Sequence, residues 1–480
     1  MLPKKKVPKP KKPGKIPKAN GILGWEDDPI SGGQPISRST PNLGARPLPL
    51  AINAPQPPPR EYNRGTPEFR YWAAAEGLRR AADFWGALVP PGTTWQPGEP
   101  LRIGLDQGED LNAYYDRKGL SFFHAQIDGT KVFSGESPDI LCHEEGHAVL
   151  DAMKPELWDA MSAEVAAFHE SFGDMSAILS ALQLPSFRQA ILVETGGKLS
   201  RTSRLSRLAE QLGWAIRQSR PDLVDPDCLR NAANSFFYQP PESLPPSAPA
   251  TMLSSEPHSF SRVFTGGFFE ALSYMLEKQS ASPSDGDLLQ VSQDAGRLLV
   301  RAIPASPVVP DFYSQVAAHL IAADAQLLNG KYGDGLKSAF VRRGVLTLES
   351  AAITARAVVA GETEALAAAG GPARTLPRVA IGGDAYGFPG QRLLLHLAGE
   401  KKRFAVTSAA FDLGPVAAPD SERAGRFFVE YLLRRGRLDL GEHGDPETRV
   451  AHSGRRKTHR LLEQPEGLLV QRLFFDCGLR

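Results

Sequence analysis

Only three cysteines occur in 480 residues, Cys142, Cys228 and Cys477, an odd number spread widely along the chain. That scarcity excludes a dense disulfide framework and fits a reducing compartment. No run of 18 or more apolar residues exists, which excludes a helical membrane span. Excess charge of one sign is lacking too: the formal net charge is +1, so there is no overall pull toward nucleic acid or acidic membranes. Acid is missing locally, since Met1–Lys18 carries eight Lys and no Asp or Glu. No apolar h-region follows that basic stretch, so it is not a conventional secretory signal. The expected location is cytoplasmic, with export by a non-standard route left open. No internal repeat is present.

What is there begins with proline. Residues 1–60 are rich in Pro, Gly and Lys, and the expectation is a disordered, solubilising tail able to contact polyanions. Order is expected from near Thr66. Phe69, Trp72, Leu78, Ala82 and Trp85 recur at helical spacing over Glu68–Leu88, and Pro90 and Pro91 end that helix. Leu101–Leu105, Leu111–Tyr115 and Leu120–Ala125 read as strands of one small sheet. Helices follow over Asp139–Met153, Ser162–Leu182, His258–Glu277, Asp285–Ala302 and Pro310–Leu328, with a weaker one over Leu205–Ile216. Gln239–Pro249 is a Pro/Ser-rich loop, and Ala351–Ala369 is Ala-rich and helical. Arg392–Leu397, Phe427–Leu432 and Leu468–Phe475 read as strands. The domains are therefore a tail at 1–60, a catalytic domain at 61–350 with lobes at 61–155 and 156–350, a helical linker at 351–373 and a β-rich domain at 374–480.

The chemistry concentrates in His143-Glu144-Glu145-Gly146-His147. Residues four apart on a helix share a face. Two imidazoles so placed can reach one Zn²⁺ at about 2.0–2.1 Å. The flanks Ile140, Leu141, Ala148, Val149 and Leu150 are apolar, so the helix is buried, where unsatisfied His and Glu are costly. Glu144 is placed to take a proton from water as general base. A third ligand is expected on the next helix. Glu170 is favoured because Asp174, one turn on, can hold the far nitrogen of a ligand His. Glu164 and His169 are the rivals. Cys142, about 100° around the helix from His143, reads as a small buried hydrophobe. His396, His443, His452 and His459 read as scattered surface residues.

HEEGHAVLD at 143–151 followed by HESFGD at 169–174 resembles the thermolysin family of zinc metallopeptidases. Asn112–Asp116 resembles the family's edge strand that holds the peptide substrate. Asp139 matches an Asp found four residues before the first His. Pro257-His258-Ser259 resembles the segment with the second catalytic His, and Tyr332–Leu346 the end of the catalytic domain. The likeness spans roughly residues 68–350. It implies an α+β fold, a thermolysin-like zincin with a small N-terminal β-sheet and helix lobe and a helical C-terminal lobe, to which a β-rich domain is added. It implies Zn²⁺ held by His143, His147 and Glu170, and catalysis by Glu144 and His258. Asp174 and Glu256 orient the two imidazoles, and Asn112 and Ala113 bind substrate. A substrate Arg is left open among Arg201, Arg204 and Arg262.

The chain departs from the family in having His169 before the third ligand and extra residues near Met153–Ser162. Ala181–Ser200 contains Glu194 as its only acid, so structural calcium is not expected. The expected function is a zinc endopeptidase acting on a peptide or protein, with neither membrane nor specific nucleic acid as partner. The alternatives are a catalytically silent binding protein on the same fold and an exported effector.

Overall fold

The main helices begin where the sequence supplies a capping oxygen, often with proline in the first turn. Thr66 accepts the Phe69 N–H at the start of α1 (Pro67–Gly86), and Ser137 accepts the Ile140 N–H at the start of α2 (Pro138–Met153). Ser162 caps α3 (Ala163–Ala181) through the Val165 N–H, and Glu256 caps α6 (Pro257–Gln279) through the Ser259 N–H. The computed structural model describes residues 21–31, 33–350, 375–399, 420–444, 447, 449 and 455–476. Over these residues the protein is a mixed α+β structure. No helix among them is long and apolar enough to cross a membrane.

The N-terminal lobe carries a hairpin of β1 (Gly21–Gly24) and β2 (Ile36–Ser39), then β3 (Leu50–Ile52), β4 (Leu101–Gly104), β5 (Ala113–Tyr115) and β6 (Leu120–Phe122). A second hairpin follows, β7 (His124–Ile127) with β8 (Thr130–Phe133). The main sheet runs β3-β4-β6-β5, parallel except for the antiparallel β5–β6 pair. The expected tail at 1–60 is corrected here. Residues 21–31 and 33–60 are placed, and β3 is a strand of the main sheet. Packing of this stretch on α1 fixes it. Trp25 packs edge-on against Phe69 at 5.8 Å, while Arg79 donates to the Ala45 and Leu48 carbonyls at 3.0 Å each. Residues 1–20 and the expected linker helix at 351–369 lie outside the described residues.

The helical lobe contains α3, α4 (Pro185–Thr195), α5 (Glu210–Arg217), α6, α7 (Asp285–Ala305), α8 (Phe312–Leu328) and α9 (Gly333–Arg342). Two short strands, β9 (Arg207–Leu208) and β10 (Arg230–Asn231), pair within it. Helices α2 and α3 meet at two glycines. A Cβ at Gly146 would stand 2.8 Å from the Ser176 Cβ and 3.0 Å from the Gly173 Cα. Any side chain there would push the helices apart.

The C-terminal unit consists of β11 (Arg378–Gly382), β12 (Arg392–His396), α10 (Ser421–Arg434), β13 (Leu438–Asp439), β14 (His459–Gln464) and β15 (Gly467–Arg472). Its sheet order is β11-β12-β15-β14-β13. The expected strand at Phe427–Leu432 is instead part of α10. Ala424, Phe428, Tyr431 and Leu432 recur at helical spacing and are buried, and Asp420 caps the first turn. The expected strand at Leu468–Phe475 is two strands in two sheets: β15 stays in this unit, and β16 (Phe475–Asp476) pairs with β5. The unit is not a separate appendage, since Met161, Ala163 and Ala166 share its core with Leu393, Leu395 and Phe428.

Candidate metal centre

Helix α2 brings His143 and His147 to one face, and α3 brings Glu170 across the glycine contact. Their ligand atoms all lie within 4.8 Å of one another, and all three residues are buried. His143 Nε2 stands 3.4 Å from Glu170 Oε2, and His147 Nε2 stands 3.8 Å from Glu170 Oε1. An ion with tetrahedral ligands at about 2.0–2.2 Å spaces them roughly 3.3–3.6 Å apart. His143 Nε2, both His147 nitrogens and Glu170 Oε2 have no hydrogen-bond partner among the described residues. Buried polar atoms are seldom left so, and a bound cation satisfies them together. The group is able to hold a metal ion.

The surrounding side chains orient these ligands. His143 Nδ1 donates to Asp174 Oδ1 at 3.1 Å, and Arg230 grips the same carboxylate with bonds of 2.7 and 3.2 Å. Burial alone would raise the Asp174 carboxyl, but Arg230 and His143 outweigh it and hold it well below the usual range. Burial also lowers His143, yet Asp174 and Glu170 lift it to about 9. His147 goes the other way: burial, then its neighbours His143, His169 and His258, hold it well below 6.5, in the neutral form a ligand requires. His258 Nδ1 bonds Glu256 Oε1 at 2.6 Å, and its Nε2 faces Glu170 Oε2 at 3.2 Å.

Gly173 is required by this packing. A Cβ there would lie 2.6 Å from the His143 ring, leaving no room for the ligand's present orientation. If the group holds a metal ion, Gly173→Ala is expected to weaken that binding on the order of tenfold or more, as losses of ligand-orienting contacts do. Competition with a chromogenic chelator measures it, and unchanged affinity refutes the requirement.

The rival third ligands are engaged elsewhere or turned away. Glu164 accepts the Tyr238 hydroxyl and the Tyr313 N–H. His169 is buried, with its ring stacked 3.9 Å from Phe475. Asn112 and Ala113 are buried at and beside the start of β5. Cys142 is buried, as read from sequence. Of the three open arginines, Arg262 binds the backbone carbonyls of Ala250, Met252 and Ser259, Arg201 that of Thr195, and Arg204 pairs with Glu194. The arginine at the site is Arg230, in a two-residue strand with no motif to mark it. His459 was expected on the surface but is buried, lining the same small cavity as His258 and Glu170.

Asp139 does not stand alone. Asp28 and Glu210 bring carboxylate oxygens within 4.8 Å of its own. Both lie outside Ala181–Ser200: Asp28 belongs to the segment that reads as a tail, and Glu210 opens α5 beyond that stretch. Burial, with help from Asp27, pushes Asp28 up to about 6. A carboxyl raised above its unfolded value binds its proton more tightly in the folded state. Its stabilising contribution is therefore full below pH ~4 and is lost as pH rises through ~6, about 3 kcal/mol. Asp28→Asn is expected to flatten the fall of Tm between those pH values. An unchanged slope would count against it.

The chain matches no protein-family model and no curated protein.

Proposed function

We propose that this chain is a zinc metalloendopeptidase with a thermolysin-like zincin fold. One observation carries the reading: two imidazoles and a carboxylate from two helices, all buried, bring ligand atoms within 4.8 Å of one another, and His143 Nε2, both His147 nitrogens and Glu170 Oε2 have no hydrogen-bond partner among the described residues. Two nitrogens and one oxygen suit zinc and leave a position open for chemistry. Zinc, when bound, supplies Lewis acidity toward the scissile carbonyl and toward water.

This chain's own residues do the rest. Glu144 follows His143 directly on α2 and takes the proton of the attacking water. His258 Nε2, 3.2 Å from Glu170 Oε2, donates a hydrogen bond to the oxyanion as the carbonyl becomes tetrahedral. Glu256 orients His258, as Asp174 and Arg230 orient His143. Asn112 and Ala113 hold an extended peptide along β5, by the same backbone pairing that builds sheets. The rival is a metal-stabilised binding protein, favoured by the chain's own strand lying along β5.

The deciding experiment is cleavage of casein and of a peptide library by the purified full chain, with metal analysis. About one zinc per chain is expected, with hydrolysis lost on chelation and restored by zinc. A zinc-loaded chain that cleaves nothing, even with its cleft opened, is the binding protein instead.

A further inference from the structure

The edge of β5 on which a peptide substrate would lie is already taken. β16 pairs with it antiparallel, Phe475 opposite Tyr115 and Asp476 opposite Tyr114, so the sheet is completed as β3-β4-β6-β5-β16. Phe475 is buried, with its ring near-parallel to His147 at 5.0 Å and to His169 at 3.9 Å. Phe474 lies against Tyr114 at 4.9 Å. A small cavity remains between Glu170, His258 and this strand, lined also by Phe474 and Phe475 of the strand's own segment.

A clasp holds the strand down. Asp476 accepts from Arg437 at 3.2 Å and from Arg456 at 3.0 Å, and Arg456 also pairs with Asp110, just before β5. Arg437 belongs to the C-terminal unit, so the clasp ties that unit to the strand and to the lobe beneath it. Arg472 lies over the Phe475 ring at 4.2 Å and donates to the Trp158 carbonyl.

We propose that β16 is an autoinhibitory strand: the chain's own C-terminal segment fills the peptide-binding edge beside the metal centre, and opening the Asp476–Arg437–Arg456 clasp exposes it. The inference rests on the peptidase reading, and its test separates the two. A two-residue strand has few backbone bonds, so the clasp and the Phe475 stack carry its attachment.

The test uses two full-chain variants loaded with zinc. Asp476→Arg sets like charges against both arginines. Arg456→Glu sets like charge against both Asp476 and Asp110, and acts from the opposite side should the first variant fold poorly. Hydrogen exchange of residues 473–476 reports release of the strand. Binding of a dye-labelled peptide hydroxamate and kcat/KM for a fluorogenic peptide report the cleft. Release with at least a tenfold gain in both is the expected result. Release with tighter hydroxamate binding but no hydrolysis in any variant upholds the occluding strand and defeats the peptidase reading. Release with unchanged affinity and rate, or with no hydroxamate binding, overturns the inference while leaving the wild type's own activity to judge the function. Continued protection of the strand in both folded variants also overturns it.

Discussion

Glu144→Gln is expected to lower kcat/KM for a peptide by about a thousandfold, the middle of the range for loss of a general base, with zinc content unchanged. The amide keeps the shape of the carboxylate but cannot take a proton from water. Glu144 lies in the middle of α2, fully buried, between the ligand His143 and Glu145. It contributes no atom to the three-residue metal group. The substitution thus leaves both imidazoles and Glu170 in place and removes one function. Turnover and metal content measured on the same preparation check it, because a drop in both would indicate a collapsed site. Near-wild-type turnover would show that hydrolysis arises elsewhere.

His143→Ala, His147→Ala and Glu170→Ala are each expected to strip the metal, whereas Glu164→Gln keeps it. Each of the first three removes one of the three residues that the proposed site supplies as ligands and leaves the remaining buried atoms unsatisfied. Glu164 lies on the same helix as Glu170, but its two oxygens are spoken for by Tyr238 and Tyr313. Its replacement by Gln keeps a similar shape and costs stability rather than metal. Zinc per chain by elemental analysis after dialysis reads the difference directly. Thermal unfolding gives an independent readout, because a ligand bound only by the folded chain raises Tm, and the three ligand variants should lose that rise. A metal-free Glu164→Gln beside a metal-loaded Glu170→Ala would reverse the ligand assignment.

The metal group was legible in sequence because its determinants are local. The i, i+4 histidines, the apolar flanks and the capping residues Ser137 and Ser162 fix α2 and α3 without knowledge of the rest. The pairing of Glu170 with Asp174, one turn apart, is equally short-range. What could not be read depends on distant partners. Residues 21–52 look like a tail because they are rich in proline. They are held by Phe69 and Arg79, which come later and carry no sign of that duty. Arg230 reaches Asp174 from a two-residue strand, and no periodicity marks so short an element. Phe427–Leu432 has the residues of a strand, yet its buried positions follow the helical spacing of a longer segment capped at Asp420. His459 and Phe475 enter the neighbourhood of the metal group only because β14, β15 and β16 return the chain to β5, a connection that no local pattern encodes.

That return also has a consequence for synthesis. Tyr115 and Phe475 are neighbours in one sheet but lie ~360 positions apart in the chain. At ribosomal rates of about 5–20 residues per second, β5 is made roughly 20–70 seconds before β16 emerges. During that interval the nascent lobe presents a bare edge of backbone N–H and C=O groups, open to pairing with any extended chain nearby. The sheet is closed only when β16, made long after β5, pairs with it. Ribosome-bound chains arrested before residue 473 should therefore be the most prone to misassociate and the most dependent on chaperones, a vulnerability confined to birth and absent once the strand is in place.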